Sequence, residues 1–168
     1  MSENSFVKSL MRTPPQGAIP EVEPAWRKAF WVDNAGSGGT FSVSVRFRDG
    51  RVAEGFSPGL YLRHAWIDQG GPRERLVWLF SHGGIYLEGR HLQRGLDGLE
   101  EGRLKRIQEH GETEIALIES HNLDIRKPEE KEPIIFRVVI SPRLSAVLEN
   151  DANLSEIAEA MREKNENR

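Results

Sequence analysis

Phe41, Val43, Val45 and Phe47 fall on one side of an extended chain, and Ser42, Ser44, Arg46 and Arg48 fall on the other. This strict period-two alternation is closed by Asp49-Gly50 and predicts a β-hairpin whose returning arm is Arg51–Phe56. A run apolar on both faces, Leu76-Val-Trp-Leu-Phe80, predicts a central, covered strand. The turn His82-Gly83-Gly84 leads from it into a strand at Ile85–Glu88. Another strand is expected over Leu60–Ile67 after the Pro58-Gly59 turn. Thr113–Ile118 and Ile134–Ile140 read as two more, joined by the charged loop Arg126–Pro133 and ended by Pro142.

The period changes after Leu92. Leu92, Leu96, Leu99, Arg103 and Ile107 share a helical face, so a helix is expected between Leu92 and His110; Gly95, Gly98 and Gly102 either delay its start to near Asp97, the favoured reading, or let it lie close on the sheet. Pro24–Trp31 reads as a short helix with Pro24 at its first position. Leu144–Lys164 reads as a C-terminal helix offering Leu148, Leu154, Ile157, Ala158 and Met161 for packing. The expected class is α+β: a curved, mainly antiparallel, hairpin-rich sheet of about six strands, packed by one central and one C-terminal helix. Val43, Val45, Trp78, Phe80, Leu96, Leu99, Phe136 and Val138 are its expected core. Residues 1–24, with four prolines and no sustained period, read as a flexible arm. Residues 25–164 form one domain, residues 165–168 a frayed tail, and Asn34–Gly39 a linker.

The chain contains no cysteine, which rules out disulfides, thiolate metal sites and a cysteine nucleophile, and fits a reducing cytoplasm. The longest apolar stretch, Ile134–Ile140, is interrupted by Arg137 and is far short of the ~20 residues a spanning helix needs. A soluble cytoplasmic protein without a membrane partner is expected. Residues 1–110 carry 15 basic and 13 acidic side chains, and residues 111–168 carry 8 and 13. That balance disfavours nucleic acid as partner, because phosphate neutralisation supplies most of the affinity in such complexes.

No motif compels a chemistry. Gly55-Phe56-Ser57-Pro58-Gly59 matches the pattern of a hydrolase nucleophile elbow, but Pro58 has no N–H to offer an oxyanion, so Ser57 is a turn residue. His82-Gly83-Gly84 is a hairpin turn, and Gly36–Gly39 lacks the Lys-Ser/Thr of a phosphate loop. The five histidines form neither H-x-H nor H-E-x-x-H. His82, Glu88 and His91 are the only candidate metal cluster, and the simpler reading of each is a structural or solvated side chain. No cofactor is indicated.

Val45-Arg-Phe-Arg-Asp-Gly-Arg-Val-Ala-Glu-Gly55 resembles the first signature of the Sm/LSm family, and Ile85-Tyr-Leu-Glu-Gly-Arg90 is similar to the second. The resemblance implies a small ring-forming β-barrel. Glu88 stands where that family has arginine, and no functional residue is carried over from it.

The leading reading is a non-catalytic module that binds a protein partner or forms a homo-oligomer. The alternative is a nucleic-acid or anionic-ligand binder using Arg46, Arg48 and Arg51 on the polar face of the hairpin. Third stands a small metal-dependent hydrolase around His82, Glu88 and His91. Three clustered guanidinium groups repel one another unless anions lie near them. These arginines are therefore expected to be mostly neutralised within the protein, by the acidic C-terminal third or by Glu54 on the returning arm, or across a homo-oligomer contact, and not by nucleic acid.

Overall fold

The computed structural model describes residues 23–33 and 42–142. Most of the predicted arm, the glycine-rich linker, the C-terminal helix and the frayed tail lie outside the described residues. The elements run β1 Phe30–Val32, β2 Val43–Arg46, β3 Val52–Phe56, β4 Tyr61–Ile67, β5 Glu74–Phe80 and β6 Gly83–Arg90. There follow α1 Gln93–Glu100, β7 Leu104–Gln108, α2 Glu112–Leu123 and β8 Ile134–Ser141.

The α+β class holds, but the strands divide into two four-stranded sheets where one sheet of about six strands was expected. The first has the order β1-β7-β2-β3 and the second β4-β5-β6-β8. All pairings are antiparallel except that of β2 with β7. The described strands do not close into the barrel that the Sm/LSm resemblance implied.

The hairpin is present with a longer turn. Phe47 N–H donates to the Arg51 carbonyl (2.9 Å) and Gly50 N–H to the Phe47 carbonyl (3.1 Å), so Arg48, Asp49 and Gly50 form a three-residue loop. Only Gly50 is left-handed there (φ 89°), which excludes the two-residue turn with both central φ positive. β5 is buried along its whole length between β4 and β6, as a strand apolar on both faces should be.

The helix expected between Leu92 and His110 starts at Gln93, not near Asp97, because Gly95 and Gly98 lie inside it against Phe30 and Val32, and it stops at Glu100. Gly102 takes a left-handed conformation (φ 69°), Gly102 N–H bonds the Leu99 carbonyl (3.0 Å) and Arg103 N–H bonds the Gly98 carbonyl (2.8 Å). These are the two bonds of a Schellman cap, which satisfies the last carbonyls and releases the chain. The chain leaves as β7, burying Leu104 and Ile107 between β1 and β2. Two other assignments reverse. Pro24–Trp31 contains no helix, because Ala29 and Trp31 are drawn into pairing with β7. Thr113–Ile118 lies in α2, where Gly111 N–H bonds the Glu114 carboxylate (3.3 Å) and Glu112 and Glu114 occupy the positive end of the helix dipole.

The two sheets pack face to face around one core. Phe30, Val43, Val45, Phe56, Leu104 and Ile107 from the first meet Leu76, Trp78, Phe80, Ile85, Leu87, Ile135 and Val138 from the second, with Leu96 and Leu99 of α1. Phe136 departs from the expected core. A register shift opposite Glu88 and Gly89 gives the inward positions to Ile135 and Val138 and turns Phe136 outward. Its ring there receives the guanidinium groups of Arg73 and Arg90 at 5.4 and 5.7 Å. No helix of the described residues is long and apolar enough to cross a membrane.

Candidate protein-interaction cleft

β1 is one of the two edge strands of the first sheet, and among the described residues it pairs only with β7. The Ala29 carbonyl accepts from Gln108 N–H (2.8 Å), and Asp33 N–H donates to the Arg103 carbonyl (2.9 Å). Ala29, Trp31 and Asp33 thus spend their backbone groups on β7. By the alternation of an antiparallel ladder, the groups of Lys28, Phe30 and Val32 point the other way. They open onto a cleft of about 480 Å³, bounded by Lys28–Val32 on one side, Arg94, Asp97, Gly98 and Glu101 on a second, and Glu132 and Pro133 on a third. An open edge beside a cavity of this size can take an extended segment as a further strand.

Close packing positions the helical wall. An added Cβ at Gly95 would fall 2.3 Å from the Phe30 ring, and one at Gly98 would fall 2.9 Å from a Val32 methyl. Glycine at both positions lets α1 lie directly on the edge strand. The cleft carries both signs of charge. Arg103 pairs with Glu101 (3.1 Å), and Arg94 with Glu132 (3.7 Å) while donating to the Glu129 and Lys131 carbonyls (3.3 Å each). Such walls suit the alternating polar groups of a polypeptide better than a polyanion or an apolar small molecule.

The outer face of the first sheet is open beside this edge. Trp31 is 52% exposed there and Val52 53%. Arg106, directly opposite Trp31, holds its guanidinium 5.8 Å from the indole centroid, and Arg46 rises from the next strand. Burial, and then the charge of Arg46, pull the Arg106 pKa below its ordinary value. Lys105 nearby is paired with Asp33 (2.8 Å).

The three arginines singled out by the hairpin have separate fates. Arg48 Nε donates to Glu109 Oε1 (2.9 Å) and its Nη2 to the Phe136 carbonyl. Arg51 pairs with Asp49 (2.6 Å) and lies 5.0 Å from the Phe47 ring centroid. Arg46 makes no ion pair among the described residues, and neither does Glu54; the carboxylates that neutralise Arg48 and Arg51, Glu109 and Asp49, lie outside the acidic residues 111–168 that were expected to supply them.

The histidine candidates do not converge. His82 stacks on Phe56 (5.3 Å) at the start of β6, and His91 follows the end of that strand, on the order of 30 Å away at ~3.3 Å per residue. Glu88, between them, is buried and accepts from Tyr86 Oη (3.1 Å) and Arg73. No group of three metal-capable side chains occurs among the described residues. A cluster that sequence reading missed joins β4 to α1: Tyr61 Oη lies 2.9 Å from His64 Nδ1 and donates to Glu100 Oε1 (3.3 Å). Burial, then the Glu100 charge, raise the Tyr61 pKa, so this phenol is held protonated and acts as a brace.

The described residues form a two-sheet α+β fold whose edge strand β1 lines a cleft. No protein family, curated protein or solved structure matches the chain. The cleft residues were missed because Phe30–Val32 carries too short a pattern to announce a strand, and because α1 and β1 meet only in three dimensions.

Proposed function

We propose that this protein is a non-catalytic interaction module that binds an extended segment of a partner protein by strand addition to β1. The observation that carries the reading is the open edge of Phe30–Val32 facing a cleft between α1 and Glu132–Pro133. Backbone hydrogen bonds would supply affinity, and side chains alternating between Trp31 on one face and the charged cleft walls on the other would supply selectivity. The absence of cysteine supports a cytoplasmic setting.

The test selects random 12-residue peptides on the immobilised full chain and follows amide hydrogen exchange on binding. Slowed exchange at Phe30 and Val32, lost on reversing charge with Glu101→Lys, is the expected result. Selected peptides that protect other strands would refute the edge. A selection yielding no peptide tighter than ~1 mM would refute the module.

A further inference from the structure

Two features of the first sheet's outer face stand out: a half-exposed indole whose one folded partner is the Arg106 guanidinium (5.8 Å), and two guanidinium groups on neighbouring strands that form no ion pair among the described residues. Trp31 sits opposite Arg106, Arg106 sits opposite Ser44, and Arg46 follows two residues along β2, so all four side chains share one open face. Neither Arg46 nor Arg106 forms an ion pair among the described residues. Asp33, beside β1, is engaged by Lys105, and Glu54, exposed at the β3 register shift, forms no ion pair with either arginine. Like charges so placed repel, and an exposed large aromatic leaves apolar surface in water.

One kind of ligand answers both features: a flat ring joined to a phosphate. The ring would stack on the indole, as bases do on aromatic platforms, and the phosphate would take the two planar forks of donors. We propose that Trp31, Arg46 and Arg106 form a binding site for a nucleotide unit, either free or within a short single strand. The near-balanced charge of the chain is compatible with this, because two guanidinium groups grip one or two phosphates and provide no track for a long polyanion. The site lies on the face of the sheet, whereas the cleft proposed for peptides opens at its edge.

The experiment titrates the full chain with AMP, a ten-nucleotide single-stranded RNA, inorganic phosphate and a ten-residue polyglutamate. The Trp31 indole signal is followed by NMR and assigned by its loss in Trp31→Phe. The expected result is a shift of that signal with AMP or the RNA. Two single-strand phosphate contacts give a slope of about −1.4 in log affinity against log salt, or roughly seven-fold weaker binding at 200 than at 50 mM. Arg46→Ala and Arg106→Ala should each remove about 0.7 from that slope, and Trp31→Ala should weaken binding at least about five-fold. RNA binding tighter than AMP would identify a strand as the source, and equal binding a free nucleotide. Phosphate binding with no indole shift, polyglutamate binding as tightly as RNA, or no binding of any probe would each overturn the proposal. Peptide binding at the β1 edge should survive Arg46→Ala, which keeps the two proposals separable.

Discussion

Replacing Glu109 with Ala should cost this protein about 1–4 kcal/mol, more than any change at the arginine it holds. Glu109 is buried just past β7, with its side chain only 9% exposed. Oε2 accepts from Val138 N–H on β8 (2.8 Å), and Oε1 accepts from Arg48 Nε (2.9 Å) and Arg48 N–H (3.3 Å). One carboxylate therefore ties the hairpin turn of the first sheet to an edge strand of the second. Truncation leaves the buried Val138 N–H without an acceptor, a penalty of about 1–3 kcal/mol. The Arg48 pair adds only about 0.2–1 kcal/mol, because that guanidinium is nearly half exposed and solvent screens it. Glu109→Gln retains one acceptor and should lose about half as much, and Arg48→Ala should lose at most about 1 kcal/mol. Urea unfolding followed by tryptophan fluorescence and circular dichroism measures all three. With slopes of roughly 1–3 kcal/mol per molar urea, Glu109→Ala should lower the midpoint by on the order of 1–2 M. A loss below about 0.5 kcal/mol, or a larger loss from Arg48→Ala than from Glu109→Ala, would refute the assignment of Glu109 as the fastener and return Arg48 to the pool of ligand-binding candidates.

Trp78→Ala should destabilise by about 3–5 kcal/mol in the same assay, since Trp78 is fully buried between the sheets. Gly95→Ala gains about 1 kcal/mol of helix propensity but drives a Cβ into the Phe30 ring, so a net thermal destabilisation of about 1–2 kcal/mol and altered amide exchange at β1 are expected. His110 is fully buried and uncharged. Its Nδ1 accepts from Ile135 N–H (3.2 Å) and its Nε2 faces the Arg27 carbonyl (2.7 Å), with burial holding its pKa below 6.5. The unfolded chain therefore takes up the proton first as pH falls. The stability contribution is complete above about 6.5 and declines below it, so urea midpoints between pH 7.5 and 5 should fall. His110→Gln should make that fall shallower, leaving the smaller share from half-buried His91, whose pKa burial also lowers.

What this chain determines by itself are the elements whose physics is local. The alternation from Val43 to Phe47, the apolar run at Leu76–Phe80 and the stop at Pro142 each appear where the residues demand, because strand period and proline act over a few positions. Tertiary structure decided the rest. Leu104–Gln108 carries helical spacing with the residues before it, but the glycine cap at Gly102 frees it, and an open slot between β1 and β2 gives its backbone two partners. Phe30–Val32 becomes a strand because β7 is there to pair with it, and Thr113–Ile118 becomes a helix because Glu114 caps its start and ties it to Arg27 (2.9 Å). The same distinction governs the sites. Arg46, Arg48 and Arg51 look alike along the hairpin, but one meets a buried carboxylate that lies 61 residues away, one bonds a neighbour in its own turn, and one is left facing Arg106. Charge sets what an arginine seeks. Only the packing of distant strands settles whether it finds it.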